Sequence, residues 1–261
     1  MRVVFLGDVV GKPGRRAVAQ YLATLREREP IDFVVANCEN SAGGVGVDPG
    51  SARELIAAGI DVLTSGNHVW AKREIAEYIA DSDVLLRPAN FAPSTPGWGY
   101  TIKTGEGGHK VAVINIIGRV FMNTYDCPFR VVDAVLEAIG SRATIVVVDV
   151  HAEATSEKVA LGWHLDGRVS VVVGSHTHVQ TADERILPQG TAYLTDAGMC
   201  GPRDSVIGVK REQVIRRFLT QMPGRFEVAD GPVLVQGAIV DIDVRTGRAL
   251  SIRRIQEVIA S

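Results

Sequence analysis

Cysteine is scarce in this chain: Cys38, Cys127 and Cys200 are the only three in 261 residues. An odd number without a metal-type Cys-x-x-Cys pair fits a reducing compartment better than a disulfide framework. Long apolar runs are missing as well. No window approaches the roughly 18 residues of a membrane helix. Met1-Arg2 leads straight into a strand-like stretch, without the apolar region of about 7 to 15 residues that a signal peptide carries. A cytoplasmic protein with no membrane partner is expected. Charge of one sign is lacking too: 28 Lys and Arg stand against 30 Asp and Glu, a net charge of -2. That balance leaves no footprint for long nucleic acid, although bound metal ions outweigh it locally and can hold a small anion. There is no internal repeat, and Gly11-Lys12-Pro13-Gly14 lacks the Gly-Lys-Ser/Thr ending of a P-loop.

What is present is a pattern of buried strands alternating with one-sided helices. A hydrophobic fraction of 46% and a charged fraction of 22% are those of a globular protein, and 261 residues suit a single α/β domain spanning 1–261. A strand over Arg2 to Gly7 precedes a loop and a helix from about Arg15 to Arg28, whose Ala17, Val18, Tyr21, Leu22 and Leu25 keep helical spacing. The strand Phe33 to Ala36 leads to a second helix begun by Asp48 as N-cap and Pro49 at its first position. A strand over Ile60 to Thr64 and a helix over Lys72 to Ala80 complete a βαβαβα order, which implies parallel strands. Beyond Leu85 the pattern changes to turns and a hairpin, Tyr100 to Lys103 with Lys110 to Ile117. The remaining expectations are helices at Phe129 to Ile139, Ser156 to Leu165 and Lys210 to Thr220. Strands are expected at Thr144 to Asp149, Val169 to Val173, Thr191 to Thr195, Phe226 to Val228, Val233 to Val244 and Leu250 to Val258.

Each buried strand ends in side chains able to bind metal. The ends carry Asp8, Glu39-Asn40, Asn67-His68, His151, and the pair His176 and His178 in Gly174-Ser175-His176-Thr177-His178; four of the six histidines fall here. Ligands in open α/β sheets collect beyond the carboxyl ends of strands. Imidazole with oxygen donors suits Fe, Zn, Mn or Ni. Two ions about 3.5 to 4 Å apart need a shared oxygen ligand, and Glu39 is the residue chosen for the bridge. With only Asp8 and Glu39 anionic, two divalent ions leave a formal charge of about +2, which favours a phosphate anion.

Asp8, Gly66-Asn67-His68 and Gly174-Ser175-His176-Thr177-His178 resemble the metal-binding blocks of the calcineurin-like metallophosphoesterases, in order and spacing, over most of the chain. Gly7-Asp8-Val9-Val10-Gly11, Asn37-Cys38-Glu39-Asn40-Ser41-Ala42-Gly43-Gly44 and Asp196-Ala197-Gly198-Met199 resemble the YmdB-like bacterial subgroup within it. The superfamily's Asp-x-His is absent, because Asp8 is followed by Val9-Val10, and Glu39 stands where a bridging Asp is expected. The resemblance implies an α/β fold, a four-layer α/β/β/α sandwich, and two metal ions per chain, Fe and/or Mn, with Zn or Ni as alternatives. It implies that Asn40 replaces the missing His, that one ion takes Asp8, Glu39, Asn40 and His178, and that the other takes Glu39, Asn67, His151 and His176. It implies hydrolysis of a small phosphodiester, a 2′,3′- or 3′,5′-cyclic nucleotide, by metal-bound hydroxide, with His68 giving a proton to the leaving oxygen.

Other readings stay open at this level. A regulatory nucleotide-sensing or RNA-pathway protein with slow turnover would use the same ligands, and a homo-oligomer is compatible with the sequence. Trp70, Trp98, Phe121, Met122, Asn123 and Tyr125 serve either packing or base stacking. The glycines of 43–46 either let the backbone approach a ligand or form a turn. His109 and His164 read as surface residues, and Arg203-Asp204 as a loop beside the substrate or in solvent.

Overall fold

The alternation of strands and helices holds in the computed structural model, which describes residues 1–260. The first half contains β1 (Arg2–Leu6), β2 (Asp8–Val9), α1 (Gly11–Arg28), β3 (Phe33–Asn37), α2 (Pro49–Ala57), β4 (Val62–Thr64) and α3 (Ile75–Ala80). Then follow β5 (Tyr100–Thr104), β6 (Lys110–Ile117), α4 (Pro128–Ile139), β7 (Ile145–His151), α5 (Thr155–Leu165) and β8 (Val171–Ser175). The chain closes with β9 (Arg185–Ile186), β10 (Ala192–Leu194), β11 (Met199–Pro202), α6 (Arg211–Thr220), β12 (Val233–Ile242) and β13 (Ala249–Ile259).

Among the described residues these strands form two mixed sheets. The first has the order β2-β11-β12-β1-β3-β4, with β13 paired to β12; the second runs β5-β6-β7-β8-β10-β9. β1, β3 and β4 are parallel, as the sequence implies, while β12 joins β1 antiparallel. β6, β7, β8 and β10 are parallel, with β5 and β9 antiparallel at the edges. The C-terminal strands therefore return to the first sheet and cap the β1 side.

Side-chain alternation explains why the strands read as continuous apolar runs. Val3 and Phe5 of β1 share a buried cluster with Val35, Val113, Val147, Val171 and Leu194, so both sheets contribute to one core. Val4 and Leu6, on the opposite face, pack with Val18, Leu22 and Leu25 of α1. In the second sheet Ile114, Val146 and Val148 pack with Val132 of α4 and Leu161 of α5. Strands covered on both faces need apolar residues at every position. Among the described residues, no helix is long and apolar enough to cross a membrane.

Three elements depart from expectation. α1 starts at Gly11 rather than Arg15, because Pro13 sits in the first turn, where a missing N–H is harmless. Lys72 to Glu74 is not helical: a single turn at Val69–Ala71 precedes α3, and Lys72 between them is extended. Phe226 to Val228 is not a strand, since only Val228 bridges, to Val209. Asp48 does cap α2, accepting from Ser51 N–H at 2.7 Å. None of the three cysteines is in a disulfide; Cys38 and Cys200 are buried and Cys127, beside the first turn of α4, is half-buried.

Candidate metal centre

Register brings the strand ends together. Ile117 of β6 lies beside His151 of β7, which lies beside Ser175 of β8, while Asn37 of β3 pairs with Thr64 of β4. β7 continues two residues past Asp149, so His151 is a strand residue, and Asp149, two positions earlier, points to the same face.

The contacts of the eight candidates fall into two groups that share Glu39. His151 Nε2 lies 3.0 Å from Asn67 Oδ1, 3.1 Å from His176 Nδ1 and 3.2 Å from Glu39 Oε1. Donor atoms of Glu39, His151 and His176 all lie within 4.8 Å of one another. On the other side, His178 Nε2 lies 3.7 Å from Asp8 Oδ1 and 3.0 Å from Asn40 Nδ2, which in turn donates to Glu39 Oε1 at 3.3 Å. Asn40 thus turns its nitrogen to His178 and its oxygen to His68. The His68 Nδ1 is 3.2 Å from Asn40 Oδ1 and 3.3 Å from Glu39 Oε1, and its backbone N–H donates to Glu39 Oε2 at 3.0 Å. His68 keeps 40% of its side chain exposed, whereas Glu39 is buried.

The outward nitrogens of three imidazoles are already engaged. His178 Nδ1 donates to the Ile207 carbonyl at 3.0 Å, and His176 Nε2 contacts Glu153 Oε2 at 2.9 Å. Ser175 Oγ donates to Asp149 Oδ1 at 2.7 Å and so accepts from His151 Nδ1 at 2.8 Å. Each ring therefore presents its other nitrogen, with a lone pair when neutral, to the cluster. Asp8 Oδ1 is buried and has no hydrogen-bond partner among the described residues, and a buried carboxylate oxygen without a partner is costly. Both features fit a cation between these atoms.

Charge inside the cluster is correlated. Burial by itself would push the Glu39 carboxyl up, but His151 and His68 overcome this and hold it well below the usual carboxylate range. Burial pushes His151 down, yet the Glu39 carboxylate outweighs it and raises the imidazole to about 9. Burial and the charged His151 push His176 down to about 3. Burial raises the Asp8 carboxyl, against the pull of His178.

A metal must displace the His151 proton, since only the neutral ring binds. Apparent metal affinity is therefore expected to weaken as pH falls below about 9, by up to about tenfold per unit. Titration calorimetry at three pH values, in buffers of different ionisation enthalpy, checks this through the protons released.

Local backbone serves the same geometry. His176 and His178 adopt φ of 100° and 64°, left-handed conformations that cost on the order of 1–3 kcal/mol each for non-glycine residues. Asp196 steadies that turn: Thr177 donates to its Oδ2 from the backbone at 3.2 Å and from the hydroxyl at 2.8 Å, and Lys158 Nζ lies 2.6 Å from the same oxygen. Gly66 approaches the cluster so closely that a Cβ there would overlap the His151 ring and the Glu39 carboxylate. Gly66→Ala is expected to lower metal content and activity by about 10- to 100-fold with the fold intact, measured by elemental analysis beside circular dichroism.

Sequence reasoning missed Glu153, Ser175, Lys158 and the role of Asp149. Asp149 is buried, accepts from Asn37, Thr64 and Ser175, and is pushed up to about 6 by burial. Its signal was the two-residue spacing to His151. The aromatic candidates separate: Trp70 and Tyr125 pack against Phe91, at centroid distances of 6.4 and 5.1 Å, and Met122 packs on the core. Phe121 is 87% exposed. His164 pairs with Asp133 at 2.8 Å, and Arg203 with Asp204 at 3.0 Å, both away from the cluster's contacts.

A mixed α/β fold of two sheets, with carboxylate, amide and imidazole donors at its strand ends, is that of the metallophosphoesterases. Within that class, the chain belongs to the YmdB-like protein family, whose profile matches residues 4–255. It is 49% identical over 255 residues to a 2′,3′-cyclic-nucleotide 2′-phosphodiesterase of Bacillus subtilis, covering 98% of this chain and 96% of the relative. Among solved structures, a hypothetical protein of Thermus thermophilus has a TM-score of 0.91 and 43% identity, with 100% of this chain and 99% of that one covered. A phosphatase of Mycoplasma pneumoniae has a TM-score of 0.93 and 34% identity, covering 99% and 93%.

Proposed function

We propose that this chain hydrolyses 2′,3′-cyclic nucleotides at a two-metal centre, opening the ester at the 2′ oxygen and leaving a 3′-phosphate. Its relatives make it a phosphoric diester hydrolase; the substrate follows the name of the Bacillus subtilis relative. The observation that carries the metal centre is the set of three imidazoles whose outward nitrogens are engaged, facing a buried Glu39 and the partnerless Asp8 oxygen.

One ion would be held by Asp8, Glu39, Asn40 and His178, with the Asn40 amide turned over to offer its oxygen. The other would be held by Glu39, Asn67, His151 and His176. Imidazole and oxygen donors suit Fe and Mn, with Zn or Ni as alternatives. When bound, such ions neutralise the phosphate and bring the pKa of a water towards neutrality.

The chain's own residues do the rest. The buried Glu39 holds the His68 ring, and the Glu39 carboxylate, outweighing burial, raises the pKa of that imidazole. His68 therefore carries a proton over a wider pH range than a free imidazole. As water adds to phosphorus and the bond to O2′ breaks, His68 gives its proton to O2′. Asp149, through Ser175, keeps His151 in the tautomer that faces the cluster.

We extend the proposal to the chain as a whole: residues 1–261 as one domain, layered α/β/β/α, supported by the core that both sheets share. The three free thiols support a cytoplasmic setting.

The experiment strips the protein with chelator and reloads it separately with Mn, Fe, Zn and Ni. Adenosine 2′,3′- and 3′,5′-cyclic phosphates are then offered. Metal-restored production of the 3′-phosphate, abolished in Asn67→Ala, is the expected result. Two metals bound without cleavage of any diester would sink the enzyme reading and favour a ligand sensor.

A further inference from the structure

A cavity of about 790 Å³ runs along one side of α1. Lys12, Arg16 and Gln20 line it from α1, Gly43 from the loop after Asn40, and Arg225 and Phe226 from the segment after α6. The three α1 positions are four residues apart and form one stripe. Among the described residues two carboxylates line the cavity; Glu227 is taken by Lys210 at 2.7 Å, which leaves Asp230 beside Lys12, Arg16 and Arg225. No ion pair among the described residues engages Lys12, Arg16 or Arg225. The Phe226 ring is 38% exposed, with the Arg217 guanidinium 5.2 Å from its centre. Cations beside an aromatic face are what single-stranded nucleic acid binds, phosphate to charge and base to ring.

Gly43 joins this cavity to the metal centre. It lies three residues beyond Asn40, so the groove begins within about 11 Å of that residue along the backbone. At Gly43, φ is 71° and a Cβ would meet nothing within 4 Å, so the space above the loop is open.

We propose that the groove holds the nucleotides on the 5′ side of a 2′,3′-cyclic phosphate, making the preferred substrate a short single-stranded RNA fragment with that end. The inference rests on the cyclic phosphodiesterase reading above. A 2′,3′-cyclic phosphate arises when a ribose 2′-hydroxyl attacks its own 3′ phosphodiester. The bond from O2′ to phosphorus forms, the bond from phosphorus to the next O5′ breaks, and the hydroxyl proton ends on O5′. The fragment keeps every nucleotide on its 5′ side, so the reaction class that supplies this substrate is RNA cleavage by internal transesterification. Three cations match two or three phosphates, in keeping with a chain whose net charge of -2 offers nothing to a long polymer.

The test compares kcat/KM of the metal-loaded full chain for adenosine 2′,3′-cyclic phosphate and for a tri-adenylate with the same end. The trinucleotide is expected to be preferred by about tenfold at low salt, the preference falling with salt at a slope of roughly -0.7 per phosphate contact. The combined variant Lys12→Ala, Arg16→Ala, Arg225→Ala is expected to erase the preference and leave the mononucleotide value unchanged. Equal use of both substrates by the natural chain, or a preference that survives in the variant, overturns the proposal. If the natural chain cleaves neither, the cyclic phosphodiesterase reading has failed, and fluorescence anisotropy of a 5′-labelled tri-adenylate ending in a 3′-hydroxyl then decides the groove. Salt-sensitive binding lost in the variant upholds it, and absence of binding overturns it.

Discussion

Replacing His68 with alanine is expected to lower kcat for a 2′,3′-cyclic nucleotide by about 10²- to 10⁴-fold, the usual contribution of a positioned proton donor. Metal content should stay unchanged, because His68 is the exposed member of the cluster and touches Glu39 and Asn40 from outside. The loss depends on the leaving group. A ribose O2′ departs as an alkoxide and needs the proton, whereas p-nitrophenolate departs without one. A p-nitrophenyl diester should therefore lose far less rate than the cyclic nucleotide. The sign in pH follows from the donor's state: activity on the nucleotide falls as pH rises through the His68 pKa, and that limb is missing in His68→Ala. An equal loss on both substrates would show that His68 positions rather than protonates.

The second large effect concerns stability. Lys158 and Asp196 form an ion pair with side chains only 2% and 1% exposed. Asp196→Asn leaves the ammonium buried without its counter-charge, at a cost of about 3–5 kcal/mol and a drop in Tm on the order of 10 °C. The same change weakens the anchor of Thr177, between His176 and His178, so metal affinity should fall by about 10- to 100-fold as well. Lys158→Met keeps the Thr177 anchor and should lower Tm with a smaller effect on metal. Calorimetric melting and metal titration of both variants separate the two roles; parallel losses in each would refute the division.

These expectations draw on different layers of the sequence. The positions of Asp8, Glu39, Asn67 and His176 were legible because strands buried on both faces are continuous apolar runs, and each run ends visibly at a polar residue. The supports of the site were not. Lys158 lies on an ordinary-looking helix, and only its placement beside Asp196, 38 residues on, gives it meaning. Glu153 reads as a surface acid until the turn at His176 brings an imidazole to it. Boundaries failed where punctuation misled: Gly11 to Gly14 looks like a loop, yet a proline in the first turn is compatible with a helix. The return of β12 to β1 depends on contacts more than two hundred residues apart, which no local pattern encodes.

The distribution of thiols makes the protein convenient for spectroscopy. Burial raises the Cys38 thiol and pushes that of Cys200 up to about 12, whereas backbone N–H groups near Arg130 and Phe129 lower that of Cys127. A thiolate-seeking dye at neutral pH should attach to Cys127 with the other two untouched. The unaltered chain is thus in effect a single-site protein for labelling, ready for distance measurements to a fluorescent substrate without removing any residue.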